Sequence, residues 1–185
     1  MKIISFQHEK VLEKVINKGI YSCSYISQYH KEAPICYQFL KDKLKEKTGI
    51  ECNPVFGWAN INGLPMILNK ESATRANEMV GFDENHYYIF ELEIPDEFIC
   101  IQDFYDFACF KADEMENIPI TIPDTISIFN SRRELQATFP YIKREWILNV
   151  YKYKTKKILV KMPILGLPDY MGEKTIVDSM IKIKL

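Results

Sequence analysis

The run from Tyr87 to Phe107 constrains the fold more than any other part of the chain. Tyr87-Tyr88-Ile89-Phe90-Glu91-Leu92-Glu93-Ile94 reads as an apolar strand, Pro95-Asp96 breaks it, and Phe98-Ile99-Cys100-Ile101 resumes it before the acidic, aromatic exit Asp103-Phe104-Tyr105-Asp106-Phe107. Aromatic and β-branched side chains suit a pleated, half-buried surface. A buried strand is thereby tied to a polar strand end, where a rigid sheet keeps side chains within reach of a ligand.

Around this run the periodicity alternates between helix and strand. Ile3 to Phe6 reads as a short strand, and Glu9 to Lys18 as a helix with Val11, Leu12, Val15 and Ile16 on one face, stopped by Gly19. A second helix starts near Pro34, which suits a first helical turn, and runs to Thr48-Gly49. Its Lys41, Lys43, Lys45 and Lys47 are interrupted by Asp42 and Glu46, the pattern of a solvated face. Pro54 to Ala59 reads as a strand, Asn62-Gly63 as a hairpin turn and Leu64 to Leu68 as a return strand weakened by Pro65. Lys70 to Met79 has helical composition, a short helix passes through Phe107 and Phe110, and Lys111 to Asp124 reads as a polar, mobile connection. In the last third, Leu135 to Phe139, Trp146 to Tyr153, Lys157 to Met162 and Thr175 to Lys184 read as strands, separated by Pro140, Thr155 and the loop Pro163 to Gly172. Helices near the N-terminus followed by mostly antiparallel strands make the class α+β, and 185 residues suit a single domain spanning 1–185.

Charge and cysteine content narrow the function classes. With 24 basic against 25 acidic side chains, the formal net charge of −1 gives no general attraction to nucleic acid or an anionic membrane, although a local basic patch is compatible with it. Cys23, Cys36, Cys52, Cys100 and Cys109 form no CxxC pair or zinc-type cluster, so free thiols in a reducing cytoplasm are expected, with no metal site. The N-terminal residues lack a secretory pattern, and no stretch approaches the ~20 apolar residues of a membrane span. A cytoplasmic location is the expectation, and the oligomeric state stays open.

Several residues suit ligand chemistry and also have plainer uses. Gln7 offers both donors and an acceptor for a ribose or amide, or is simply a strand-end glutamine at a helix start. His8 marks the same helix entrance. Trp58 and Tyr87 or Tyr88 suit stacking on an adenine or nicotinamide ring, or core packing. Arg132-Arg133 suits a pyrophosphate, because arginine forks match phosphate oxygens, or an exposed turn. Asp103 and Asp106 suit a paired-acid site, for the general acid/base chemistry of a small metal-independent hydrolase or for a cation, or the N-terminus of a helix. No glycine-rich phosphate loop or nucleophile elbow is present.

Two resemblances add to this. Ile4-Ser5-Phe6-Gln7, Pro54-Val55-Phe56-Gly57-Trp58, Phe90 to Asp96 leading to Asp103-Phe104, and Gln136-Ala137-Thr138-Phe139 leading to Trp146 resemble, in this order over residues 1 to 153, an uncharacterised bacterial domain-of-unknown-function family. The segment order is also similar to that of ADP-ribosyltransferase folds. That likeness implies NAD bound in a cleft of a split antiparallel sheet, with Gln7 or His8 on the early strand and Glu134-Leu135-Gln136 on the late one. Gln7 stands where such enzymes carry His or Arg, and Gln136 where they carry the acid, so Glu134 and Gln136 become the catalytic candidates and Gln7, Trp58, Arg132 and Arg133 the cofactor contacts. The acceptor implied is a protein, a nucleic acid or a small metabolite. The alternative is a non-enzymatic binding or partner-interaction domain on the same sheet.

Overall fold

In the computed structural model, residues 1–24, 28–61, 64–65, 67–80, 87–118, 134–161 and 171–185 are described. The chain runs β1 (Lys2–His8), α1 (Glu9–Lys18), β2 (Ile20–Ser22), α2 (Gln28–Glu32), α3 (Pro34–Thr48), β3 (Val55–Ile61), β4 (Leu64–Pro65), α4 (Lys70–Val80) and β5 (Tyr87–Glu93). It continues as β6 (Cys100–Asp103), α5 (Phe104–Met115), β7 (Leu135–Phe139), β8 (Tyr141–Lys143), β9 (Ile147–Lys161) and β10 (Met171–Ile183). Eight strands form one hydrogen-bonded sheet in the order β10-β9-β5-β1-β3-β7-β6, with β4 on β3, and β2 pairs with β8 in a second, two-stranded sheet. Each of these ladders is antiparallel, so the fold is α+β.

The two faces of β1 follow from its alternating side chains. Ile3 packs with α1 residues Val11, Leu12 and Val15 and with Phe90, Leu92 and Val150, while Ile4 packs on the other face with Trp58, Ile89, Val177 and the α4 alanines Ala73 and Ala76. The sheet is therefore covered by α1 on one side and α4 on the other. The α1 helix starts where the His8 ring accepts a hydrogen bond from the Lys10 amide at 3.2 Å and stops at Gly19, whose φ of 74° is the left-handed conformation glycine adopts without strain. In α3 the capping residue is Ala33, which has no side chain to offer. The carboxylate of Glu114 from α5 replaces it, accepting from the Ile35 and Cys36 amides at 2.7 Å each.

Three expectations are corrected. The separate strands Trp146 to Tyr153 and Lys157 to Met162 are one continuous β9, with Thr155 paired opposite Val177, because a polar stretch remains in a ladder as long as its backbone has a partner. The connection starting at Lys111 is helix as far as Met115, because Phe107 and Phe110 bury the inner face of a longer α5. The short elements β2, α2 and β8 were not anticipated; three to five residues carry too little periodicity to read. Of the expected hairpin, β3 and β4 pair through Ile61 and Leu64, and Asn62-Gly63 lies outside the described residues. So do residues 119–124 of the expected connection and 163–170 of the expected last loop.

Gly57 sets the approach of β1 to β3. A methyl group there would overlap Ile3 Cγ2 and lie 3.1 Å from the Ile4 carbonyl oxygen and 3.3 Å from the Phe139 ring. Gly57→Ala is expected to cost about 1–3 kcal/mol by overpacking, measured as a lowered urea midpoint with unchanged slope. Cys36 is fully buried and its thiol is pushed up to about 12, chiefly by burial and then by the Glu114 charge, whereas Cys109 is exposed. A thiol reagent added to the native protein at neutral pH should modify Cys109 first and Cys36 only on unfolding, as read by mass spectrometry of quenched samples.

Candidate functional site

The ladders place one cross-strand row over six strands. Asn149 is opposite Glu91, Glu91 opposite Ile4, Ile4 opposite Trp58, Trp58 opposite Gln136, and Gln136 opposite Gln102. Residues directly opposite one another share a face, so all six point to the side covered by α4. The row is apolar in the middle and polar at both ends. Asn149 Nδ2 donates to Glu91 Oε2 at 2.6 Å, and Gln102 Nε2 donates to Gln136 Oε1 at 3.0 Å in a buried position.

Glu134 immediately precedes β7 at the Gln136 end of this row. Its carbonyl accepts from the Phe104 amide at 3.0 Å, tying the entry of β7 to the start of α5. The residue is only 3% exposed, and its carboxylate Oε1 lies 3.0 Å from Nη2 of Arg75, which also donates to the Tyr105 hydroxyl at 3.3 Å. Arg75 reaches it because α4 lies close over the sheet. Its start is fixed by a reciprocal pair in which the Ser72 amide donates to Asn69 Oδ1 at 2.9 Å and the Asn69 amide to Ser72 Oγ at 3.0 Å. Ala73 and Ala76 then bury against the sheet with no bulk to hold the helix away. The result is a carboxylate, a guanidinium, a phenol and an amide pair gathered at one end of one face.

The residues singled out in the sequence divide. Glu134, Gln136 and Trp58 share the α4 face. Trp58 is buried there, its ring 5.0 Å from that of Phe104 at an interplanar angle of 63°, so stacking on a ligand would require Phe104 to give way. Gln7 lies opposite Tyr88 on the α1 face, where its Nε2 donates to Ser5 Oγ at 2.7 Å and Ser5 Oγ donates to the Phe56 carbonyl at 2.5 Å. The structure does not bring it together with Glu134. Tyr88 donates its hydroxyl to Glu9 at 3.1 Å, and burial, then that bond, raises its pKa. Asp103 caps α5, accepting from the Tyr105 and Asp106 amides at 2.9 and 3.1 Å, the helix-start use of an acid. Arg132, Arg133 and the Tyr87 side chain lie outside the described residues.

Arg75, Gln102, Tyr105 and the Glu91–Asn149 pair went unrecognised in the sequence. Arg75 had a signal, being one of four arginines against twenty lysines. Gln102 and Glu91 had none, since their partners are 34 and 58 residues away. No group of three or more His, Cys, Asp or Glu side chains able to hold a metal ion occurs among the described residues.

The Arg75 side chain is 40% exposed and that of Glu134 only 4%, so losing the arginine strands a buried charge while losing the carboxylate leaves a guanidinium that water can solvate. Arg75→Met is expected to cost about 1–3 kcal/mol, the solvent-facing partner keeping the figure at the low end for a buried pair, and Glu134→Gln distinctly less. Urea denaturation of both variants checks the order; equal losses would mean that the pair contributes nothing specific. No family model, curated protein or solved structure matches this chain.

Proposed function

We propose that the chain is an ADP-ribosyltransferase-like domain that binds NAD or a related nucleotide on the α4 face and transfers ADP-ribose to an acceptor. The observation that carries this reading is the buried Glu134 carboxylate, held by Arg75 beside Tyr105 and two residues before Gln136. As nicotinamide departs, positive charge develops on the ribose, and a carboxylate fixed in a water-poor site stabilises it more than a neutral amide does. Glu134 takes that role. On this reading the Gln102–Gln136 pair bonds ribose hydroxyls or the acceptor, and Arg75 supplies a guanidinium for a pyrophosphate, the role the sequence offers for Arg132 and Arg133. Gln7, on the opposite face, has no part in this arrangement.

A second reading, a binding domain without transfer, is favoured by one observation: Gln136 is already bonded to Gln102, Glu134 to Arg75 and Gln7 to Ser5, so the fold uses these groups itself.

The two readings separate in a thermal-shift titration with NAD, ADP-ribose and nicotinamide, followed by an assay of nicotinamide release. Transfer predicts stabilisation approaching about 2.7 kcal/mol at a hundredfold excess over Kd. It also predicts release that Glu134→Gln reduces at least about a hundredfold with NAD affinity largely kept, while Glu91→Gln leaves release intact. Stabilisation without release under any acceptor condition selects the binding domain. No stabilisation by any of the three compounds removes the nucleotide reading and leaves a partner-binding domain.

A further inference from the structure

The end of the α4 face that holds Glu134 also holds a hydroxyl nucleophile. One nitrogen, Nη2 of Arg75, meets Glu134 Oε1 at 3.0 Å and the Tyr105 hydroxyl at 3.3 Å. The carboxylate oxygen and the phenol oxygen are therefore separated by no more than the sum of these two distances. That span admits a single carbon between them, because a nucleophile and the atom it attacks lie about 3–3.5 Å apart when poised to react. The guanidinium is a planar, delocalised cation, and so is a ribose whose C1′ is losing its leaving group. Between a buried carboxylate and a phenol, the fold already holds a cation of the kind the transfer reaction would create there. The Arg75 side chain is 40% exposed, so it can swing out to a pyrophosphate and leave that position to C1′.

The fold asks little of the Tyr105 hydroxyl. The residue is 43% exposed, and its bond from Arg75 is long for an N–H···O contact and lies at the surface, where it holds the arginine only weakly. The start of α5 is secured by the Asp103 carboxylate, which bonds the Tyr105 amide and not its side chain. What the surroundings do fix is direction. The Tyr105 ring stands edge-on to Phe104, 5.7 Å between centres at 68°, and Phe104 in turn rests on the buried Trp58. A hydroxyl carried on the first turn of a helix and braced by packed rings is pre-oriented toward the carboxylate.

We infer, on the transferase reading above, that the Tyr105 hydroxyl is itself an acceptor, so that the chain ADP-ribosylates its own tyrosine. The C1′–N bond of NAD breaks with its electron pair passing to the nicotinamide nitrogen, a lone pair of the tyrosine oxygen forms the new C1′–O bond, and the phenol proton passes to water. NAD and tyrosine thus become nicotinamide, an O-linked ADP-ribosyl tyrosine and a proton. The product occupies the place from which it was made, so a modified chain is closed to further NAD.

The test incubates the protein with NAD and no added acceptor, follows nicotinamide release, and maps adducts by mass spectrometry of proteolytic peptides. The expected result is one ADP-ribosyl group on the peptide carrying Tyr105, formed at a rate per chain that does not change with protein concentration. The linkage should survive neutral hydroxylamine, which cleaves the esters that Asp103, Asp106 or Glu134 would form. Glu134→Gln should slow adduct formation at least about a hundredfold, and Tyr105→Phe should clear the adduct from this peptide. The site is mapped on the unsubstituted protein, so a variant that folds poorly does not decide the outcome. Release with adducts elsewhere or with none, a hydroxylamine-labile linkage, or a rate that rises with protein concentration would overturn the acceptor and leave the transferase reading standing. So would release that begins only when an acceptor is added. Absence of release under both conditions sinks the transferase reading, and the acceptor with it.

Discussion

The fold depends on the seven-residue ladder between β1 and β5, in which every residue from Lys2 to His8 has a partner from Glu93 to Tyr87. It joins segments 79 to 91 residues apart, and the entropy of closing so long a loop is offset by the apolar side chains that both strands carry on each face. Ile3, Phe90 and Leu92 fill one core while Ile4 and Ile89 fill the other, so a slip of one residue would exchange the two sets. Once this register is set, β3 can join β1 only at the distance Gly57 permits, and β7 and β6 follow outward from β3.

This hierarchy explains what was legible in the sequence. Elements with local punctuation were read closely: α1 stops at Lys18 before Gly19, and α3 runs from Pro34 to Thr48 before Gly49, because proline and glycine act through their own dihedral angles. The break at Pro95-Asp96 was also clear, since proline cannot serve a ladder interior, but the strand expected from Phe98 to Ile101 is β6 at Cys100–Asp103, with Phe98 still in the turn before it. What failed was structure supplied by a distant partner. Thr155 is polar among lysines and stays in a strand only because Val177 lies opposite, and Glu114 takes over the cap that Ala33 lacks from 78 residues away.

The same distinction applies to the candidate site. Glu134 and Gln136 were read as a pair because alternation puts residues two apart on one face, a local rule. Arg75 and Gln102 were invisible to that rule, being delivered by α4 and β6 through the sheet order. Gln7 shows the rule in reverse: three residues from Ile4, it faces away from Trp58, since an odd spacing along a strand changes side. The row from Asn149 to Gln102 is a property of five registers taken together, and no single segment contains it.

Helix α4 has adjacent residues engaged at two distant places. Thr74 Oγ1 accepts the Val177 amide at 2.9 Å, where the ladder of β9 and β10 is bulged between Val177 and Ser179, and Arg75 holds Glu134 beside β7. The helix is thus a crossbar between the outermost strand and the far half of the sheet. The separation of these two anchor points is therefore set by one peptide unit of α4.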